Sequence, residues 1–153
     1  MISLDIKLAE GARAPEYATD GSNGLDLFAL NIKEKKNGII TYDTGISVAI
    51  PTGYAGLLLM RSSVHKTDVT LRNAVGLIDS DYRGPILLKY SLIHFDKPYL
   101  SVYKPGDKIG QLLVVPSPKM SIKIRESLPD TARVGGFGST DIDTRGDPNN
   151  WGD

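Results

Sequence analysis

An all-β domain is the fold class this sequence predicts, and three observations carry the prediction. Apolar residues alternate with polar ones in short runs, the period that sends successive side chains to opposite faces of a strand. Glycine or proline punctuates nearly every gap between those runs, as turns require. No window of about a dozen residues holds a convincing helical period. Many short strands at regular spacing point to a sandwich, a jelly roll or a closed barrel. At 153 residues, 41% hydrophobic and 24% charged, the chain suits one domain with a real core.

The elements follow in order. Ile2, Leu4, Ile6 and Leu8 alternate with polar neighbours and predict a half-buried first strand. Leu25 to Leu30 follows the turn-forming cluster Thr19 to Gly24. Ile39 to Ile50 contains Ile46, Val48 and Ile50 in alternation and stops at Pro51-Thr52-Gly53. Glu34-Lys35-Lys36, just before it, reads as a solvated hairpin tip. Further strands are expected at Tyr54 to Met60, Val69 to Leu71, Ile86 to Ile93, Tyr99 to Tyr103, Ile109 to Val115 and Met120 to Ile124, with room for a turn or two of helix after Arg61. Apolar residues flank the polar centre of Asn73 to Ile86, and glycines close it at either end, which predicts a tight hairpin. Residues 133–153, rich in glycine and then polar, read as an arm that is mobile alone and ordered against something else. The expected organisation is a barrel domain over residues 1–132 and a C-terminal arm over 133–153.

Charge and composition exclude several classes. Lysine plus arginine and aspartate plus glutamate number 18 each, so no net field draws the chain to nucleic acid or to an anionic membrane. Cysteine is absent, which removes disulfides and thiolate metal sites and is compatible with a reducing compartment. The start, Met1 to Lys7, lacks the regions of a secretory signal, and apolar runs such as Leu112 to Val115 are too short to span a bilayer. A soluble protein is expected, in the cytoplasm or, for a virus-encoded chain, in that of the host. His65 and His94 are too scattered to form a metal site by pattern, and no phosphate-binding P-loop is present.

Five stretches carry polar, loop-like chemistry: Gly21 to Leu27, Arg61-Ser62-Ser63, the turn around Asp79, Pro105 to Leu112, and Gly135 to Thr140. A carboxylate such as Asp79 serves as a general base when it is held near a water and partly screened from solvent. The plainer reading is a turn aspartate bonded to its own backbone. Arginine forks onto phosphate oxygens, and serine hydroxyls donate to them.

In this order and spacing the five stretches resemble the motifs of the trimeric dUTPase (deoxyuridine triphosphatase) family, over about residues 11 to 140. The most specific is the family's Gly-x-Ile-Asp-x-x-Tyr-x-Gly pattern, present at Gly76, Ile78, Asp79, Tyr82 and Gly84. The resemblance implies a jelly-roll-like β-barrel, a homotrimer with the C-terminal arm exchanged between subunits, and hydrolysis of dUTP to dUMP and pyrophosphate with Mg2+. It makes Asp79 the base that activates the water attacking the α-phosphorus, and Tyr82 the ring that excludes a 2′-hydroxyl. Asn73 with Gly76, Leu77, Ile78 and Leu87 would read uracil. Arg61, Ser62, Ser63 and Gln111 would meet phosphate or fix the site. Asp26 would support it near the metal, through charge or a water. Arg133, Phe137, Gly138 and Ser139 would close over substrate from another subunit, Phe137 capping the base. No protein cage for the metal is implied, because the phosphates and waters would hold it.

The chain departs from the family pattern in places. Met60 replaces a proline, Lys108 an arginine and Gly110 an alanine. Only Val134 separates Arg133 from Gly135-Gly136-Phe137, where two residues are common. Two other functions fit the same frame. One is a dCTP deaminase, which would release ammonia. The other is a non-catalytic protein that senses nucleotides or binds a partner.

Overall fold

The computed structural model describes residues 2–93 and 100–131. His94, Tyr99, Arg133, Phe137, Gly138, Ser139 and Trp151 lie outside the described residues. Among the described residues ten strands form, in the order β1 Asp5–Leu8, β2 Leu25–Phe28, β3 Asn31–Lys36, β4 Ile39–Asp43, β5 Ile46–Ala49, β6 Tyr54–Leu59, β7 Val69–Leu71, β8 Gly76–Ile78, β9 Leu87–Leu92 and β10 Lys108–Pro116, with a 3₁₀ turn at Ser62–Lys66. The all-β, jelly-roll-like reading holds. One sheet has the order β2-β10-β6-β8, a second β3-β4-β9-β7, and β1 pairs with β5 alone.

A single core draws on all three sheets. Leu27, Leu58, Ile109 and Leu112 come from the first sheet, Ile40, Tyr42, Leu71, Leu88 and Tyr90 from the second, and Ile46 and Val48 from β5. Alternation supplies them: in β9 it is Leu88 and Tyr90 that are buried, with Lys89 between them in water. Three tyrosines pack edge to face at its centre, with ring centroids 5.5 to 6.2 Å apart. The Tyr42 hydroxyl donates to the Tyr103 carbonyl at 2.9 Å, and that of Tyr90 to the Ile109 carbonyl. Burial pushes the Tyr42 phenol up to about 12 and the Tyr90 phenol higher still.

Several sequence expectations are corrected. The run Ile39 to Ile50 is two strands, broken at Thr44-Gly45. Gly45 takes a φ of 66°, and a Cβ there would lie 2.7 Å from both Ala12 and Leu30 side chains. Glu34-Lys35-Lys36 lies in β3, and the hairpin tip is Asn37-Gly38, both at positive φ as a type I′ turn demands. β1 is exposed along its whole length rather than half-buried. Residues 100–103 and 120–124 form no strand. The largest revision concerns Asn73 to Ile86. Its arms do not pair with each other: β8 joins β6, and β9 joins β4 and β7. The stretch is therefore a corner that crosses from one sheet to the other.

The compact unit spans Met1–Lys119. In the remainder, Met120, Ile122, Ile124 and Leu128 are 78 to 95% exposed.

Candidate active site

Strand register builds the first half of the site. Gln111 on β10 stands opposite Asp26 on one side and Leu59 on the other. Beyond β2, the backbone of Asp26 bridges to Glu16, its N–H donating to the Glu16 carbonyl at 2.8 Å. Asp26 is wholly buried, yet both carboxylate oxygens are engaged. Arg61 Nε donates to Oδ1 at 3.1 Å, Gln111 Nε2 donates to the same oxygen at 2.9 Å, and Lys108 Nζ donates to Oδ2 at 2.8 Å. Burial alone would push the carboxyl up. Lys108, Gln111 and Arg61 together outweigh it and hold the group below the usual aspartate range, so it is ionised.

Two local features make this convergence possible. β6 ends at Leu59, and Arg61 keeps an extended conformation (φ −80°, ψ 151°) before the chain turns into the 3₁₀ segment, whose Val64 N–H donates to the Arg61 carbonyl. Arg61 thus stands two residues past Leu59, on the same side of an extended chain. Its Nη1 also reaches the Ser63 hydroxyl at 3.3 Å. The second feature is a register shift between Lys108 and Gly110. Residues 108 and 111 are an odd number apart, so a regular strand would send them to opposite faces. The bulge re-aims Lys108, and both side chains reach one carboxylate. Glycine suits that position: a Cβ at Gly110 would lie 2.5 Å from Leu88 Cδ2 and 3.1 Å from the Leu59 carbonyl.

Arg61 and Ser63 line an open cleft of about 510 Å3 together with Arg13, Lys66 and Lys108. Lys108 also reaches Glu16 Oε1 at 3.2 Å, and Arg13 holds the other Glu16 oxygen at 3.1 Å while stacking on the Phe28 ring. A cleft with four cations along its wall is suited to a multiply charged anion such as a phosphate chain.

The second half is the corner between β8 and β9. Leu77, Ile78, Asp79, Tyr82, Pro85, Ile86 and Leu87 line a pocket of about 200 Å3. Asp79 is exposed, and its carbonyl accepts the Tyr82 N–H at 3.1 Å, which closes the turn. The Tyr82 ring folds back over Gly84, its hydroxyl donating to the Pro85 carbonyl at 3.0 Å. A Cβ at Gly84 would sit 2.6 Å from Tyr82 Cζ, so the ring rests where only glycine leaves room. Asn73 and Gly76 lie one step earlier, outside the pocket wall. Ala74, between the two, holds a φ of 56°, and the Val75 N–H turns back to the Asn73 carbonyl at 2.5 Å. That is a tight three-residue turn of a kind non-glycine residues rarely adopt.

The predicted residues therefore fall into two groups. Asp26, Arg61, Ser63 and Gln111 come together, and Leu77, Ile78, Asp79, Tyr82 and Leu87 come together. Within one chain the groups stay apart. Ile78 pairs with Gly56, so Asp79 continues past the Ala55 end of β6 while Arg61 leaves the opposite end. Six residue steps of extended chain lead from Ala55 to Arg61, roughly 20 Å at about 3.3 Å each. Asp26 is buried, and both of its carboxylate oxygens accept from protein donors. Among the described residues no cluster of three or more acids and histidines could hold a metal. The residues that sequence reasoning passed over are Glu16, Arg13 and Lys108. Of these only Lys108 lies in one of the five polar stretches, Pro105 to Leu112.

A jelly-roll barrel with a cation-lined cleft and a separate acid-bearing pocket suits a protein that handles a phosphorylated small molecule. The dUTPase family model matches residues 10–141, and the chain belongs to the dUTPase family. It is 38% identical over 146 residues to the deoxyuridine 5′-triphosphate nucleotidohydrolase of Alcanivorax borkumensis, covering 88% of this chain and 92% of that one. The protein of the same name from Dictyoglomus turgidum is 42% identical over 136 residues, with 84% and 90% covered. Among solved structures, a mutant dUTPase of Staphylococcus bacteriophage 80alpha with dUpNHpp is similar at a TM-score of 0.75 and 26% identity, covering 93% of this chain and all of that one. A mutant dUTPase from phage phi11 of S. aureus, described with a structural Mg(II) ion, is similar at a TM-score of 0.67 and 26% identity, covering 82% and 98%. No helix among the described residues is long and apolar enough to cross a membrane.

Proposed function

We infer that this chain hydrolyses dUTP to dUMP and pyrophosphate. The observation that carries the reading is the pocket at the β8–β9 corner, where the Gly76 to Gly84 motif of a dUTPase-family chain sets an exposed carboxylate beside an aromatic ring. Asp79 takes the proton of the water that attacks the α-phosphorus. A base held within hydrogen-bond reach of its water typically contributes about 10²- to 10⁴-fold. Tyr82 packs on the sugar and leaves no room for a 2′-hydroxyl. Backbone groups of Gly76, Leu77 and Ile78, with the Asn73 side chain and Leu87, read the uracil edge. Arg61, Ser62 and Ser63 bind the phosphates. Gln111 and Asp26 hold Arg61 in place.

The roughly 20 Å of extended chain from the Ala55 end of β6, beside Asp79, to Arg61 supports a site assembled from different subunits, in a homotrimer. The exposed apolar residues Met120, Ile122, Ile124 and Leu128 support the same reading, since apolar side chains left in water find a partner surface. The arm, residues 133–153, would complete the site from another subunit through Arg133, Phe137, Gly138 and Ser139.

Magnesium would be carried mainly by the substrate's phosphates and waters, which needs few protein ligands. When bound there it would draw charge from the triphosphate oxygens. The experiment is pyrophosphate release across dUTP, dTTP, dCTP and UTP, with Asp79→Asn as control. Strong preference for dUTP and a loss of at least about 100-fold in the variant are expected. Equal rates on dTTP or UTP, ammonia from dCTP, or an active Asp79→Asn would reject the assignment.

A further inference from the structure

We propose that Lys108 is a positioning residue for the triphosphate, acting through Asp26. This deepens the reading above and rests on it.

The argument is geometric. Arg61 Nε and Gln111 Nε2 both bond Oδ1 of Asp26, so the rotation of that one carboxylate decides where both donors point. Rotation about a carboxyl torsion is soft, because its wells are broad. The Lys108 ammonium removes this freedom by holding Oδ2 at 2.8 Å. The lysine is itself tethered, at 3.2 Å, to Glu16, whose backbone bridges Asp26. The carboxylate is thus gripped by side chain at both oxygens and by backbone on both flanks. Without Lys108, Oδ2 would be a buried acceptor with no donor. The carboxylate would then turn toward another donor, and the Arg61 guanidinium is the nearest that can follow. Its Nη1, which now reaches the Ser63 hydroxyl at 3.3 Å, and its Nη2 would be drawn inward, away from the cleft. The register shift between Lys108 and Gly110 brings this side chain to this face.

Lys108 also lines the cleft, so it could in principle meet phosphate directly. Glu16 separates the two roles. If Lys108 binds phosphate, removing the Glu16 charge frees the lysine and tightens substrate binding. If Lys108 acts through Asp26, loosening its tether weakens binding.

The test measures kcat and KM for dUTP in full-length wild type, Lys108→Met, Lys108→Arg and Glu16→Gln. Inhibition by deoxyuridine, which has no phosphate, reports on the base pocket in each. In Lys108→Met, KM rises about tenfold with kcat within about twofold, because contacts kept equally in ground and transition states are lost. Lys108→Arg restores KM to within about threefold, since a guanidinium can span the same two carboxylates. Glu16→Gln raises KM by about two- to threefold. Deoxyuridine inhibition stays at its wild-type level throughout. Wild-type KM in Lys108→Met, or a lowered KM in Glu16→Gln, would overturn the proposal. The Glu16 side chain is 41% exposed, so its variant remains informative even where Lys108→Met does not fold. Failure of the dUTPase reading is distinct: the wild-type chain would then release no pyrophosphate from dUTP.

Discussion

Gly84→Ala tests whether the Tyr82 ring sets sugar specificity. A Cβ at this position would lie 2.6 Å from Tyr82 Cζ and 2.9 Å from Cε2, with the hydroxyl nearer still. Ordinary carbon contacts need about 3.5 Å or more. The ring must therefore withdraw by about 1 Å, and its hydroxyl leaves the Pro85 carbonyl. The ring is 42% exposed and can swing outward, so stability falls by less than about 1 kcal/mol, the net worth of one exposed hydrogen bond. Catalysis responds more. A misplacement of about 1 Å costs up to about 100-fold, so kcat/KM for dUTP is expected to fall about ten- to a hundredfold. UTP, which the ring already rejects, loses less, and the dUTP/UTP ratio collapses. Pyrophosphate release on both substrates gives the ratio. In a Tyr82→Ala background the same glycine change finds no ring to displace and adds little, which makes a double-mutant cycle decisive. An unchanged ratio in Gly84→Ala, or an equal further loss in the Tyr82→Ala background, would refute the reasoning.

Other expectations follow from the same geometry. Asp26→Asn leaves Arg61 and Lys108 facing a neutral amide. Losing one partner of a buried pair costs about 3–5 kcal/mol, less here because both cations keep some solvent, so about 2–3 kcal/mol is expected. Thermal melts at fixed protein concentration should drop by about 5–10 °C, and dUTP KM should rise. An unshifted melt would count against Asp26 as the organiser of this half-site. Sedimentation should give a particle three times the 16.6 kDa chain, with specific activity falling on dilution. A monomer that turns over at full rate would contradict a shared site. The buried phenol of Tyr42 titrates at about 12, against about 10 when unfolded. A raised value means its stabilising contribution is intact below pH about 10 and is lost as pH rises toward 12. Urea midpoints measured across that window should decline, with phenolate absorbance appearing as the chain unfolds. A midpoint that stays level to pH about 12 would show those phenols are not protected.

Legibility in the sequence tracked how local the cause was. Alternation in Ile46 and Val48, or Leu88 and Tyr90, is written within each segment, and those strands were read. β3 is not legible because Asn31 to Lys36 lies mostly on a wet surface and its lone apolar residue, Ile32, sets no period; the Asn37-Gly38 pair is its marker. The corner at Asp79 was read as a hairpin because short apolar arms around a turn look alike whether they pair with each other or join different sheets. Only the partners, β6 on one side and β4 with β7 on the other, distinguish the two. The Asp26 cluster was visible as types of residue, Asp26, Arg61 and Gln111, but its geometry depends on cross-strand register. The bulge before Gly110 changes which face Lys108 occupies, and nothing in the local spacing announces it.

The distance along β6 has a genetic consequence. A chain crippled at Asp79 keeps a sound phosphate cleft, and a chain crippled at Arg61 keeps a sound base-and-water corner. Mixed after partial denaturation and refolded together, two such dead proteins can contribute their intact ends to common assemblies, and a fraction of sites regains turnover. Recovery of activity from two inactive parents, absent when each refolds alone, is what a molecule with its machinery split between opposite ends of one strand would do.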